Sequence, residues 1–305
     1  MSSALSAPHF HEEDAAFAYV EARLWPNGPV CPHCGGVEKV GKLKGKTTRP
    51  GLWKCYQCRK PFTVKIGTIF ESSHVPMHIW LQAMYLIAGS KKGISSNQLH
   101  RILGVTLKTA WFMSHRIREA MQDNELGPLG GLGATVEADE TFIGFEPGRT
   151  PAHKAYWHKM KVFALVERGG RSRAMVVNDI TIPTLQPLML ANVHRLSKLH
   201  TDEAHQYKSI GRFFYQHRTV QHARGEYAQG TAHTNTIEGY FSIFKRGMKG
   251  IYQHCAKKHL HRYVAEFNFR YSNRVALGYN DGDRADALLK GVIGKRLTYQ
   301  TTGAA

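Results

Sequence analysis

Four cysteines in two Cys-x-x-Cys pairs, Cys31 with Cys34 and Cys55 with Cys58, constrain this chain more than any other feature. Each pair places two thiolates on one tight turn, and the twenty residues between Cys34 and Cys55 let the two turns close a tetrahedral four-sulfur site. One Zn2+ suits such a set. With four thiolates around it the ion is structural, because no position stays open for a substrate. A redox pair, or buried cysteines with no ligand, fits two paired motifs at this spacing poorly, and Cys255 reads as an ordinary semi-buried thiol. Short β-like runs at residues 52–56 and 62–66, broken by glycines and lysines, complete a small metal-stapled β unit, a zinc ribbon.

The ribbon is also strongly basic. Lys39, Lys42, Lys44, Lys46, Arg49, Lys54, Arg59, Lys60 and Lys65 are opposed only by Glu38. A cluster of one sign repels itself without an anionic partner, so phosphate contact is preferred over a merely solvated face, with Lys42, Lys44, Lys46, Arg59 and Lys60 as candidates. The whole chain leans the same way: 41 lysines and arginines against 23 aspartates and glutamates leave a formal charge of +18, which favours a polyanion such as DNA. No run reaches the roughly 18 apolar residues of a membrane span. Residues 9–14 are polar and acidic where a secretory signal would be apolar. A cytoplasmic protein without a membrane partner is expected.

Residues 12–24 read as a helix, opened by Glu12, Glu13 and Asp14 and stopped by Pro26 and Gly28. Residues 76–88, 96–103 and 106–121 read as three more, with Gly104 at the tight turn between the last two, which suits a helix-turn-helix. In the last of these, Ala110, Met113, Ile117, Ala120 and Met121 form a core stripe. That leaves Lys108, Trp111, His115 and Arg118 on another face, able to enter a DNA groove. Gly127, Pro128, Gly130, Gly131 and Gly133 read as a linker. The expected organisation is residues 1–70 for the first helix and ribbon, 71–125 for the helix-turn-helix, 126–133 for the linker and 134–305 for a second domain.

That domain opens with strand-like runs at residues 134–143, 162–167 and 173–179, a meander turning at Gly169 and Gly170. A helix at 184–194, a strand at 198–201, a helix at 207–217, a strand at 219–222 and long C-terminal helices follow, so the chain reads as multidomain α+β with an α/β second domain. Asp139 lies within the first strand, Asp202 ends a later one, and Glu238, with 35 residues between it and Asp202, lies on a helix starting near Thr234. Any one of them alone would read as a surface carboxylate. Together, two strand carboxylates and one helical carboxylate can surround two divalent cations, the arrangement that in-line phosphoryl transfer needs. Lys245, two helical turns beyond Glu238, can set a positive charge beside the scissile phosphate.

At these residues the chain closely resembles bacterial insertion-sequence transposases of the DDE type, in the zinc-ribbon branch known as family fifteen-ninety-five, the ISXO-like branch. The similarity runs across nearly the whole chain. Its marks are Trp25-Pro26-Asn27-Gly28 before Cys31-Pro32-His33-Cys34-Gly35-Gly36, then residues 62–70, residues 136–144 and Thr201-Asp202. The most specific block is His233-Thr234-Asn235-Thr236-Ile237-Glu238, continuing through Lys245-Arg246 and Gly250 to Glu266-Phe267-Asn268-Phe269-Arg270. The chain departs from the family at Gly144-Phe145, where a glycine pair is expected, and in a short segment at residues 146–158.

The resemblance implies a ribonuclease H-like fold of the retroviral integrase superfamily and two Mg2+ (or Mn2+) ions at Asp139, Asp202 and Glu238. It also implies cutting and joining of terminal inverted repeats by an oligomer on DNA, with Lys245 and Arg246 as DNA contacts. Some relatives place an asparagine in the third position, and here Asn235 and Glu238 occupy neighbouring turns of one helix. Glu238 is assigned to the metal because a carboxylate binds a divalent ion better than an amide, and Asn235 is a secondary site residue that orients DNA or a ligand. His233 is a neighbour of the site. The expected function is therefore a DNA transposase. Two rivals stay open, a transposase-derived DNA-binding regulator and a metal-dependent nuclease without strand transfer.

Overall fold

The computed structural model describes residues 3–122, 127–146, 158–220 and 233–298. Two compact units emerge, one formed by Met1–Gln122 with Tyr279–Ala305 and the other by Asp123–Gly278.

In the first unit, α1 (Glu13–Leu24) leads into a three-stranded antiparallel sheet of β1 (Val40–Lys42), β2 (Trp53–Cys55) and β3 (Pro61–Phe62). Its core is only Cys31, Cys55 and Phe62, with Trp25, Val40, Trp53, Cys58 and Ile66 packed around them. So few apolar groups cannot offset the ordering of the loops, which is the physical reason for a metal staple. The ribbon meets α1 closely at Gly51, whose φ is +66° and where a Cβ would lie 2.0 Å from the Phe17 ring.

Three helices follow: α2 (Met77–Gly89), α3 (Ser96–Leu103) and α4 (Leu107–Ala120). Glu13 of α1 supplies the missing cap of α2 by accepting from the backbone N–H of Met77 at 2.8 Å and His78 at 3.2 Å. Ser95 and Thr106 cap α3 and α4 through Gln98 and Thr109, and Gly104, at φ +64°, turns one into the other. This is the helix-turn-helix arrangement. One expectation fails here: the C-terminal segment, assigned above to the second domain, belongs to this unit. The last helix, α9 (Asp281–Lys290), packs on α2 and α1, and beyond it Ile69 N–H donates to Val292 O while Gly294 N–H donates to Gly67 O. Buried Arg116 ties the ends together by donating to Ile69 O, Glu71 O and Leu297 O.

The second unit is a five-stranded sheet in the order β6-β5-β4-β7-β8. β4 (Thr135–Ile143), β5 (Met160–Glu167) and β6 (Ser172–Val177) form the antiparallel meander, and β7 (Lys198–Asp202) and β8 (Gln216–Val220) run parallel to β4. The period of two along the strands sorts their side chains. Phe163, Leu165, Val136, Ala138 and Leu199 pack on the face covered by α5 (Ile182–Asn192) and α6 (His205–Gly211). Val162, Ala164, Val166 and Ile143 pack on the face covered by α7 (Asn235–Gly247) and α8 (Lys257–Ser272). A meander extended by two parallel strands, with helices on both faces, is the ribonuclease H-like arrangement.

Two local expectations are corrected. α6 stops at Gly211, not at residue 217, because the chain must turn into β8: a Cβ on Gly211 would lie 2.0 Å from the His217 ring. The described part of the expected linker is built into the unit, since Leu129 is buried, accepts from His194 N–H at 2.9 Å and donates to Asn192 O at 2.8 Å. Most of the short segment at residues 146–158 and the end of the expected strand at 219–222 lie outside the described residues.

Candidate functional site

Glu137 and Asp139 share the α7-facing side of β4, because residues two apart along a strand point the same way and their neighbours Val136 and Ala138 lie in the opposite core. By the same parity His200 and Asp202 share that side of β7, whose Leu199 points away. Glu238 stands on the first turn of α7 over this face. Burial, then the charge of Glu140, and also those of Asp202 and Glu238 push the Asp139 carboxyl up to about 7, although the Glu140 N–H donates to its Oδ1 at 2.7 Å. Asp202 and Glu238 therefore both lie within electrostatic reach of Asp139. Asp202, as the last residue of β7, also accepts from Ala204 N–H at 3.0 Å and so starts the turn into α6.

Among the described residues, the four cysteines alone form a group of three or more Cys, His, Asp or Glu whose ligand atoms all lie within 4.8 Å of one another. The acidic set is more open. That suits its proposed contents, since ligands shared between two ions about 3.5–4 Å apart need not all touch one another. A negative, oxygen-only donor set with one carboxyl raised to about 7 by burial and by its neighbours' charges is what a hard divalent cation would relieve.

Several neighbours escaped the sequence analysis. Glu140 lies on the other face of β4, where the Tyr207 hydroxyl donates to Oε2 and Gln206 Nε2 to Oε1 at 3.3 Å. Glu137 is fully buried and paired with Arg168, Nε to Oε1 at 2.6 Å. Arg168 Nη2 donates to His200 Nδ1 at 2.9 Å and to His233 O at 2.6 Å. An arginine only donates, so His200 Nδ1 is the acceptor; burial and the Arg168 charge push this imidazole down to about 4 and keep it neutral. His233 is indeed close, its Nδ1 3.5 Å from Glu137. Asn235 is exposed one turn before Glu238, on whose Oε1 the Thr234 hydroxyl donates at 3.0 Å.

In the ribbon, Cys31 and Cys58 Sγ atoms are 3.7 Å apart, as are those of Cys34 and Cys55. A tetrahedron of thiolates at the usual Zn–S length of about 2.3 Å has edges of about 3.8 Å, so the four sulfurs fit the ion. Each Cys-x-x-Cys turn closes on a left-handed residue, Gly35 at φ +73° and Arg59 at φ +62°.

The basic candidates divide. Lys44, Lys46, Arg59, Lys60 and Lys108 are exposed, whereas Lys42 is paired with Glu21 at 3.0 Å and lies over the Trp53 ring. His115 and Arg118 are corrected outright: both are 1% exposed, so neither lies on a free helical face. The reason is that α4 is buried on nearly all sides, and Arg118 Nη1 donates to Ser114 Oγ at 3.1 Å inside it. Trp111 is half-buried against the His115 ring. On α7, Lys245 and Arg246 line an open groove with Ser242, Gly250 and Lys249, the last a cation not singled out above.

Among the described residues no helix is long and apolar enough to cross a membrane. Residues 11–61 match the family described as the transposase zinc-ribbon domain, and residues 128–272 match the ISXO2-like transposase domain. A protein of Halobacterium salinarum named for the transposable element ISH50 is 26% identical over 262 residues, covering 81% of this chain and 86% of its own length. Two solved structures show a distant likeness. The Mos1 strand transfer complex has a TM-score of 0.29 at 12% identity, over 69% of this chain and 74% of that one. A pre-cleavage Mos1 transpososome has a TM-score of 0.24 at 12% identity, over 65% and 77%. Both family matches occur in the expected order on a ribbon and a ribonuclease H-like sheet, and the chain carries a transposase zinc ribbon followed by an ISXO2-like transposase domain.

Proposed function

We propose that this protein is an active transposase that binds the terminal inverted repeats of its own element and then cuts and joins DNA at Asp139, Asp202 and Glu238. The observation that supports this most is the placement of the acidic set: Asp139 on β4, Asp202 at the end of β7 and Glu238 on the first turn of α7 share one side of the sheet, where burial and then the charges of Glu140, Asp202 and Glu238 raise the half-buried Asp139 carboxyl. Surface carboxylates gathered by chance would spread apart. Two Mg2+ or Mn2+ ions held by these three residues would activate an attacking oxygen and stabilise a leaving one.

The chain's own groups do the rest. Asp139, Asp202 and Glu238 would hold the divalent cations, whose charge would relieve the mutual repulsion of these carboxylates. Lys245, with Arg246 and Lys249 along one groove, supplies positive charge for the phosphates flanking the scissile bond. Asn235, exposed beside Glu238, offers an amide to orient DNA. Lys44, Lys46, Arg59, Lys60 and Lys108 of the first unit contact the phosphates of the element ends, with zinc holding the ribbon in shape. Because two ends must be joined to one target, the working form is an oligomer on DNA, in the cytoplasm.

The test is a magnesium-dependent assay on DNA carrying this element's own ends, comparing wild type with Asp202→Ala and Glu238→Gln. Joined products from wild type, with binding but no joining by either variant, support the reading. Cleavage without joined products leaves a nuclease. Binding with neither cleavage nor joining in Mg2+ or Mn2+ leaves a regulator.

A further inference from the structure

We infer that Glu137 and Arg168 are positioning residues of the acidic site: one buried ion pair sets the mutual placement of the three elements that carry Asp139, Asp202 and Glu238. The inference rests on the catalytic reading above and assigns the part of the site that holds the ligands in place.

Glu137 lies two residues before Asp139 on the same side of β4, and its register partner on β7 is His200, two residues before Asp202. The pair thus sits one rung below the two strand carboxylates. One oxygen of Glu137 accepts from Arg168 Nε at 2.6 Å, and the other accepts the backbone N–H of Ile237 at 2.9 Å, the residue next to Glu238. Arg168, just past the end of β5, is itself fixed by its backbone N–H to Thr135 O at 3.0 Å. Its Nη2 reaches His200 on β7 and the carbonyl of His233 at the entrance to α7.

The start of α7 makes the point most directly. A helix N-terminus is ordinarily satisfied by its own N-cap side chain, but Thr234 makes no such bond. The Thr234 hydroxyl donates instead to Glu238, and a first-turn N–H of α7 is satisfied by Glu137 from the sheet. One carboxylate therefore ties the start of α7 directly to β4, beside the apolar packing of the rest of the helix on the sheet. A buried ion pair is a weak source of net stability, yet its directional bonds fix distances that an apolar contact would leave loose. Metal ligands need such support: removing the groups that orient them typically costs about 10-fold to 100-fold in metal affinity or activity.

The experiment uses the zinc-loaded protein and the variants Glu137→Gln and Arg168→Lys, which keep a polar side chain of similar length but remove an acceptor oxygen or the forked donor set. Three quantities are read: affinity for end DNA, the Mn2+- or Mg2+-induced thermal shift without DNA, and cleavage rate against Mg2+ at saturating DNA. The expected result is DNA affinity within about twofold of wild type, a reduced thermal shift, and a half-saturating Mg2+ concentration raised about 10-fold or more. Wild-type cation responses in both variants overturn the inference. So does parallel loss of melting temperature, DNA binding and cation response, which is plain destabilisation. If wild type itself neither responds to cations nor cuts, and matches Asp202→Ala, the catalytic reading falls and takes this inference with it. A responsive wild type with unaltered variants removes the positioning role alone.

Discussion

Arg23 on α1 grips Asp286 on α9 with two hydrogen bonds, Nε to Oδ1 at 2.6 Å and Nη2 to Oδ2 at 3.0 Å. Tyr19 donates to the same Oδ1 at 2.5 Å and lies under the guanidinium, 3.3 Å from ring centroid to Arg23 Cζ. Burial works against the Asp286 carboxylate, but the bonds from Arg23 and Tyr19 outweigh it and hold its pKa below the usual value. A depressed folded pKa means stability that is present above the unfolded value near 4 and lost as pH falls through the lower folded value. Asp286→Asn should therefore cost about 1 kcal/mol at pH 7, the modest figure due to a partly exposed pair. Calorimetry should show the gap between wild type and variant closing below about pH 4; a gap independent of pH would rule out this origin.

Zinc removal should unfold the ribbon and leave the sheet of the second unit intact. Trp25 and Trp53 sit edge to face beside the ribbon core, 6.0 Å apart, so their fluorescence reports this step. A strong chelator, or Cys31→Ser, should shift that signal, bring metal content from one zinc per chain to none, and weaken DNA binding. Retention of the native tryptophan signal after full zinc loss would mean the ribbon holds without its staple.

Glu238 and Asn235 should separate in a cleavage assay. Glu238→Gln removes a proposed metal ligand and should lower the rate at least about 100-fold, whereas Asn235→Ala removes one orienting amide and should cost about 10-fold or less. Both variants should bind end DNA normally. The reverse order of effects would hand the third ligand position to Asn235.

The basic residues should sort by exposure. Lys44→Ala, Lys46→Ala and Lys108→Ala should each weaken DNA binding and reduce the slope of log affinity against log salt by about 1. Arg118→Ala should instead lower the melting temperature, by about 2 kcal/mol or more of stability, since it empties a buried polar position inside α4. An unchanged melting temperature with a reduced salt slope would return Arg118 to the DNA surface.

The placement of the three proposed carboxylates on their elements was readable in the sequence because its logic is local. Strand parity puts Asp139 on one side of β4, a strand end exposes Asp202, and a helix start presents Glu238. Glu137 and His200 carry the same parity signal, two residues earlier on each strand, and could have been found by it. Arg168 could not, because it stands in a turn and its partners on β4, β7 and before α7 are brought to it only by the folded sheet. His115 and Arg118 misled for a related reason. A stripe analysis assigns one buried face per helix, while α4 is buried from Met113 through Arg118 without a break. The return of α9 was equally hidden, since an amphipathic pattern shows that a helix has a core to meet without saying which one.

That return decides when the first unit is complete. The chain leaves this unit after Gln122, builds the whole sheet unit, and comes back only at Tyr279. Val292, Gly294 and Leu297, which bond to the segment after the ribbon and to Arg116, come after the whole sheet unit in the chain. A nascent chain stopped anywhere within the sheet unit therefore carries an unfinished ribbon-and-helix unit, with α1 and α2 missing the surface that α9 covers. On the proposed function, premature termination would leave the DNA-contacting unit unfinished whatever the state of the acidic site, so truncated copies would compete poorly for DNA ends.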